Sequence, residues 1–248
     1  MFSFIDDFLN KITMYRLVLY YLVVLWAAAL LLGFFGLLPY QPVALIVSLL
    51  LILAVCWGTN MLFAYAFDAA TNVESVYITA FILALIVSPA SGMTALGAGF
   101  LIFASVWAMT SKYIFAIGKK HIFNPAAFGV ALSALLLNQS ANWWVAGNIW
   151  LLPLVFFGGL LIVRKLRRFD LIAAFSMAVI GATIATAPSA HYWTSFSATL
   201  LHSSFFFLAF VMLTEPLTMP PSRIARLVYG ALVGVLFVPS VNIAPGTS

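Results

Sequence analysis

PVALIVSLLLILAVCWGTNMLFAYAF, residues 42–67, contains no lysine, arginine, aspartate or glutamate from end to end. A helix needs about 20 predominantly apolar residues to cross the hydrocarbon core of a bilayer. A soluble surface helix keeps one polar face, and this stretch has none. It therefore reads as a transmembrane helix. The whole chain has the same character: 65% of its 248 residues are hydrophobic and 7% are charged, with a mean hydropathy of +1.15. A soluble domain carries about 25% charged residues. A deficit of that size means that most of the surface faces the lipid bilayer, which makes the fold class an all-α polytopic membrane protein. The net charge of +5 is no nucleic-acid signal, because the basic residues are few and sit between apolar runs. The single cysteine, Cys56, excludes a disulfide framework and a cysteine-ligated cluster built by this chain alone. The N-terminus lacks a short apolar core followed by a small-residue cleavage site, so no cleaved signal peptide is expected.

Outward from that stretch, hydropathy predicts about nine transmembrane helices, at 15–37, 42–67, 75–89, 93–117, 125–138, 143–163, 169–187, 195–214 and 224–240. The amphipathic opening MFSFIDDFLNKI, within residues 1–14, reads as a cytoplasmic, interfacial lead-in. The stretches 75–89 and 125–138 reach only about 21 Å at 1.5 Å per residue, less than the bilayer core. Short segments of this kind end at buried irregular backbone that lines a site. With the N-terminus inside, the inner loops hold Lys11, Arg16, Asp68, Glu74, Lys119, Lys120, His121, Arg164, Lys165, Arg167, Arg168, Glu215, Arg223 and Arg226. Lys112 falls on the inner end of the fourth span. The outer loops around Pro39, Ala90, Gln139 and Ser189 hold no lysine or arginine, and this segregation sets both span count and orientation.

Spans three and eight both finish on a polar residue followed by proline, Ser88-Pro89 and Glu215-Pro216. Five spans separate them, an odd number, so the second unit would stand upside down relative to the first. This predicts two inverted five-helix half-repeats, residues 15–138 and 139–248, with a site where the halves meet. The partner of span five would be a tenth helix, which is missing from these residues.

KKHIFNPAAFGVALSALLL, residues 119–137, resembles the FNPA signature of the RnfD/NqrB family, membrane subunits of ion-pumping, flavin-containing electron-transport complexes. VESVYITAFILALIVSP and the helix at 93–117 resemble the family's short helix and return helix. FVMLTEPLTMPPSRIARLVYGALVGVLF, residues 210–237, is similar to its T-D-P-V-T…R-G-R-L-I-F-G-A-L-x-G segment, with Glu215 in place of the aspartate. The resemblance spans roughly residues 73–238. It implies a bacterial inner-membrane protein with a cytoplasmic N-terminus, an electron-transfer role, and flavin or quinone as redox partner.

One departure bears on the cofactor. The family's long outer insertion, whose threonine carries covalent FMN, is replaced by NQSAN. SGMT (91–94) and IGAT (180–183) are look-alikes of the flavinylation motif, but neither follows an aspartate, and Thr183 falls inside a helix. Thr94 reads as a first-turn residue near a Ser91 cap. Any FMN or riboflavin is therefore expected to be noncovalent. The compact form resembles the membrane part of single-chain oxidoreductases, which implies a cytoplasmic flavin/NAD(P)H reductase domain or subunit as electron donor, and other Rnf/Nqr-like membrane subunits as neighbours. No Gly-rich nucleotide loop occurs here, so the chain alone is not expected to bind NAD(P)H.

The site residues implied are His121, Phe123, Asn124 and Pro125 at the FNPA turn, and Thr214, Glu215 and Thr218 at the matching turn. Asn124 supplies an amide at a helix start, and Pro125 suits the first helical position. A helix N-terminus presents free N–H groups and partial positive charge, which would stabilise a reduced flavin. His121 could donate a proton or hydrogen bond nearby. Lys119 and Lys120 either attract a phosphate or serve as positive-inside flanks. Glu215, near the membrane boundary, is either functional or paired with Arg223 or Arg226. His202 inside span eight reads as a hydrogen-bonded polar residue between helices rather than a haem ligand. Trp143, Trp144 and Trp193 read as an aromatic belt. Two further functions share the sequence: a channel or transporter for a small polar solute, and a cofactor-free scaffold subunit. Orientation is open to direct test: a reporter fused after Gln139 should be active only outside the membrane, and one fused after Arg167 only inside. The opposite pattern would invert the topology.

Overall fold

The computed structural model describes residues 3–90, 94–118, 120–186 and 192–238. The chain divides into two compact units, Met1–Val145 and Ala146–Ser248. Among the described residues, four helices are long and apolar enough to cross a membrane, or five if one bent pair counts as a single span.

In the first unit, α1 (Ser3–Lys11) precedes α2 (Met14–Phe34), which Thr13 caps by accepting the N–H of Arg16 at 3.3 Å. α3 (Pro42–Ala66) opens on a proline, whose missing N–H would have had no partner in the first turn. α5 (Ala95–Ile114) begins at a cap supplied by Thr94 itself, whose hydroxyl accepts the N–H of Gly97 at 3.2 Å. Thr94 is thus the cap rather than a residue beyond one, and Ser91 lies outside the described residues. α4 (Val73–Ile86) and α6 (Pro125–Leu137) have only 14 and 13 residues.

α4 is the inside of this unit. Val76, Thr79, Ala80 and every residue from Ile82 to Ile86 are buried, and the helix packs against both α2 and α3. A short helix ending inside apolar surroundings strands its last carbonyls away from water, at a cost of several kcal/mol each in lipid. Donors arrive from much later in the chain. The N–H groups of Asn142 and Trp143 bond to the Ile86 carbonyl at 2.9 and 2.8 Å. The Trp144 indole N–H donates to the carbonyls of Ala84 and Val87, each at 3.1 Å. Trp144 is only 8% exposed. It therefore caps a helix and does not belong to the boundary belt expected for it.

Polar groups sort by end within this unit. At one end Arg16 Nε meets Glu74 Oε1 at 3.0 Å, and Lys112 Nζ donates to the carbonyl and hydroxyl of Ser75 at 2.9 and 3.0 Å. At the other end the groups are neutral: the Asn142 amide donates to the hydroxyls of Tyr40 and Ser88. Next to Lys112 at the charged end, Tyr113 on α5 donates to the buried Asn60 side chain on α3 at 2.7 Å. α5 and α6 lie so close that a Cβ on Gly129 would strike the Ala104 carbonyl, with Ala108 at 3.0 Å.

The second unit holds α7 (Leu152–Leu166), α8 (Phe169–Thr186), α9 (Tyr192–Leu201), α10 (Phe205–Phe207) and α11 (Arg223–Phe237); α10 runs on as a π-helical turn, Leu208–Met212. Residues 144–147 and 149–151 are turns, so α7 is shorter than the span expected at 143–163. Asn148 accepts the N–H of Trp150 at 2.9 Å, a local side-chain bond that competes with helix. The span expected at 195–214 is likewise not continuous. α9 and the α10 segment are bent by 54°. The Ser203 hydroxyl bonds back to the Thr199 carbonyl and accepts the N–H of Phe205, so a side chain enters the helix ladder and breaks it. His202 stands exposed at this break, not between helices as expected.

α8 and α11 run parallel, because Gly230 faces Leu171 and Ala174 while Gly234 faces Phe175 and Ala178. The pair forms the G-x-x-x-G arrangement that lets two backbones approach. Phe175, Phe205, Phe210 and Leu213 fill the core beside them. In each unit taken separately the packing order is alike: α2 on α4 and α3 on α5 in one, α7 on α10 and α8 on α11 in the other. A Cβ on Gly234 would lie 2.5 Å from the Phe175 carbonyl, whereas one on Gly181 meets nothing within 4 Å. Gly234→Ala should therefore lower the detergent-solubilised melting temperature by the equivalent of about 1–3 kcal/mol, and Gly181→Ala should leave it unchanged or raise it. Equal effects would contradict this packing.

Candidate functional site

α5 ends at Ile114, and the chain turns through a β-hairpin, β1 (Ala116–Ile117) with β2 (Lys120–His121), before entering α6. The strands are antiparallel, with Ala116 opposite His121 and Ile117 opposite Lys120. Gly118 takes φ +56° at the turn, a conformation that glycine adopts without strain. Lys119, one of the two expected phosphate-attracting lysines, lies outside the described residues; Lys120 is exposed. The Ile122 N–H bonds to the Phe115 carbonyl at 2.9 Å and extends the pairing up to the FNPA turn.

At that turn Asn124 is the helix cap: its Oδ1 accepts the N–H of Ala127 at 3.0 Å. Pro125 occupies the first turn of α6 and is buried. His121, in β2, is 7% exposed, while Phe123 is 46% exposed. The hairpin brings three phenylalanines together. Phe123 stacks on Phe128 with ring centroids 5.6 Å apart and planes 28° apart, and Phe115 meets both, at 5.8 and 5.1 Å. The result is a helix N-terminus flanked by a stacked, partly open aromatic face. Sequence reasoning found Asn124, Pro125, His121 and Phe123 but not Phe115 or Phe128; the clue was the short hairpin, which folds residue 115 back onto the helix.

The second turn has a different construction. Thr214 is buried, and its hydroxyl donates to the Phe210 carbonyl at 2.7 Å, back into the π-helical segment. The Glu215 carbonyl accepts the Thr218 hydroxyl at 3.2 Å and the N–H groups of Thr218 and Met219. Thr214, Glu215 and Thr218 are thus brought together in one compact turn, with both threonine hydroxyl protons committed to backbone carbonyls. A π-helical turn is uncommon and concentrates at functional sites. Arg226 and Arg223, expected as possible partners of Glu215, both lie on Asp170: Arg226 Nη2 at 3.5 Å and Arg223 Nε at 3.7 Å. Arg226 is held further by the Pro221 carbonyl at 2.9 Å. Asp170 was not singled out in the sequence, although it opens α8 directly after a run of basic residues.

Of the flavinylation look-alikes, the Thr94 hydroxyl is spent as a helix cap, and Thr183 is buried within α8. Among the described residues no group of three or more His, Cys, Asp or Glu could hold a metal ion. Compared with known proteins, the chain matches no protein-family model and no curated sequence.

Losing the Asn124 cap should cost about 1 kcal/mol. Asn124→Ala is expected to lower the melting temperature of the purified protein, whereas Asn124→Asp, which keeps the accepting oxygen, should restore it. Equal melting for all three would show that the cap does not stabilise α6.

Proposed function

We propose that the chain is an integral membrane electron-transfer protein of the RnfD/NqrB type, with a noncovalently held flavin, FMN or riboflavin, at the FNPA turn. The observation that carries this reading is the pairing of the Phe115–Phe123–Phe128 stack with the Asn124-capped N-terminus of α6. An isoalloxazine is flat, apolar on its faces and gains negative charge on reduction. Aromatic stacking and the positive end of a helix meet those two needs at once. His121 beside the turn is the proton or hydrogen-bond donor in this scheme, and Thr214, Glu215 and Thr218 form the counterpart turn of the second half.

In this reading the nine apolar stretches are nine spans of a bacterial inner-membrane protein with a cytoplasmic N-terminus, arranged as two inverted halves. The like packing order within each unit supports it. So does the separation of charged and neutral ends in the first unit. A cytoplasmic flavin/NAD(P)H reductase domain or subunit delivers the electrons, and quinone or a neighbouring Rnf/Nqr-like subunit receives them. Such a chain holds no complete catalytic site by itself.

The test is an absorbance spectrum of detergent-purified protein, air-oxidised and then reduced with dithionite, followed by acid precipitation. A flavin band that bleaches and is released by acid is expected, and Phe123→Ala should lower flavin occupancy several-fold at unchanged folding. Colourless protein from flavin-replete cells would overturn the redox reading and leave a solute pore or a scaffold. A band retained in the acid pellet would overturn noncovalent attachment.

A further inference from the structure

Every lysine and arginine of the second unit stands at one end of it. Arg164 and Lys165 lie in the last turn of α7, Arg167 and Arg168 join α7 to α8, and Arg223 and Arg226 open α11. Against these six cations the unit has two carboxylates, Asp170 and Glu215. Both arginines of α11 reach Asp170 in the first turn of α8, so the starts of the two parallel helices meet.

Asp170 is spent mainly on the inner of the two. Arg226 is nearly buried, with Nη2 at 3.5 Å from the carboxylate and Nη1 donating to the Pro221 carbonyl. Arg223 reaches the same oxygen at 3.7 Å with most of its side chain in the open. An ion pair that exposed contributes little, so the charge of Arg223 is largely uncompensated. Arg167, three residues before Asp170, is exposed as well. Acceptors are short even inside the cluster: Arg168 Nε and Arg226 Nε are buried and have no hydrogen-bond partner among the described residues. Cations are thus held here in fixed positions with too little negative charge to match them.

An apolar track begins where the cations stop. Ile224, Val228, Leu232 and Leu236 are all exposed, and at intervals of four they form one stripe along α11. The stretch from Ile224 to Leu236 extends about 18 Å, close to the roughly 15 Å of hydrocarbon in one leaflet. Another face of α11, with Gly230 and Gly234, is closed against α8, which fixes Arg223 at the head of the stripe. Charge at one end and a tail-length apolar stripe leading from it suit a molecule with an anionic head and a fatty chain. A soluble phosphate would use the first feature alone. A zwitterionic lipid would bring as much positive charge as negative to a cluster already rich in cations.

We infer that this end of the second unit binds an anionic phospholipid, its headgroup phosphate on Arg167 and Arg223 and one acyl chain along Ile224, Val228, Leu232 and Leu236. The inference rests on the membrane reading of the chain and not on a flavin at the FNPA turn.

The probe is phosphatidylglycerol with a diazirine midway along one acyl chain, mixed into phosphatidylcholine nanodiscs that hold the full chain. Ultraviolet light expels dinitrogen and inserts the remaining carbon into a nearby C–H bond, and labelled peptides are mapped by mass spectrometry. Saturable labelling within residues 224–236 is expected, reduced by unlabelled phosphatidylglycerol but not by glycerol phosphate. The same diazirine on phosphatidylcholine should label the stripe without saturating. Arg167→Gln combined with Arg223→Gln should raise the half-saturating mole fraction about five- to thirty-fold. Lys11→Gln combined with Lys120→Gln removes the same charge from the first unit and should leave it unchanged. Identical labelling by the two lipids, or an equal loss in the two double variants, would reduce the cluster to ordinary flanking charge and overturn the proposal. Competition by glycerol phosphate as strong as by the lipid would assign the cations to a soluble anion, and overturn it too. The comparison of the two lipids needs only the wild-type chain, so it decides the matter even where a variant fails to fold.

Discussion

The first unit is organised around one requirement: every backbone carbonyl of a helix that ends in apolar surroundings needs a donor. α4 is too short to carry its C-terminus across a bilayer core, so its last carbonyls stay inside the protein. Asn142, Trp143 and Trp144 satisfy them with two backbone N–H groups and an indole. The irregular stretch that makes this possible cannot also be helix, and in the same unit it sets Asn142 against Tyr40 and Ser88. One unmet hydrogen-bonding demand thus accounts for a turn, a buried tryptophan and a polar cluster at the neutral end.

Close approach does the rest of the holding. Burial from water cannot drive helices together where the alternative neighbour is a lipid tail, so dispersion contacts and interhelical hydrogen bonds must serve. Glycine at positions 129, 230 and 234 lets backbones touch the neighbouring helix. Tyr113 with Asn60, and Arg226 with Asp170, supply polar links across helices. The Arg226–Asp170 pair is worth more than the Arg223 contact, since Arg226 is 11% exposed and Arg223 is 76% exposed. The aromatic core around Phe175, Phe205 and Phe210 fills the space left behind the bend at Ser203.

Hydropathy made the long helices legible because length and apolarity are properties of the residues themselves. α2, α3, α5 and α8 each coincide with an expected apolar stretch, as do the short α4 and α6. Where the sequence misled, apolarity was present but hydrogen bonds went elsewhere. Residues 143–151 are apolar enough to count as helix, yet they are drawn into caps and turns. The break at Ser203 sits inside an apolar run, and the serine's bonds to Thr199 and Phe205 reveal it. At the FNPA turn, the cap and the proline were readable from residue type and spacing. The phenylalanine stack was not, because it exists only once the hairpin has brought residue 115 back to residue 128. Likewise Asp170 and Arg226 are far apart in sequence, and nothing in either local context names the other.

The capping of α4 also has a consequence for the order in which the protein can be made. Its donor Trp144 is 60 residues further along the chain than the Ala84 carbonyl it satisfies. While α4 is leaving the ribosome, those donors do not yet exist. Between the two events α5, the hairpin and α6 must all be synthesised, and α4 has to wait where water or the insertion machinery can serve its open end. The helix at the centre of the unit is therefore among the last of its elements to be completed, and the unit closes around α4 rather than growing from it.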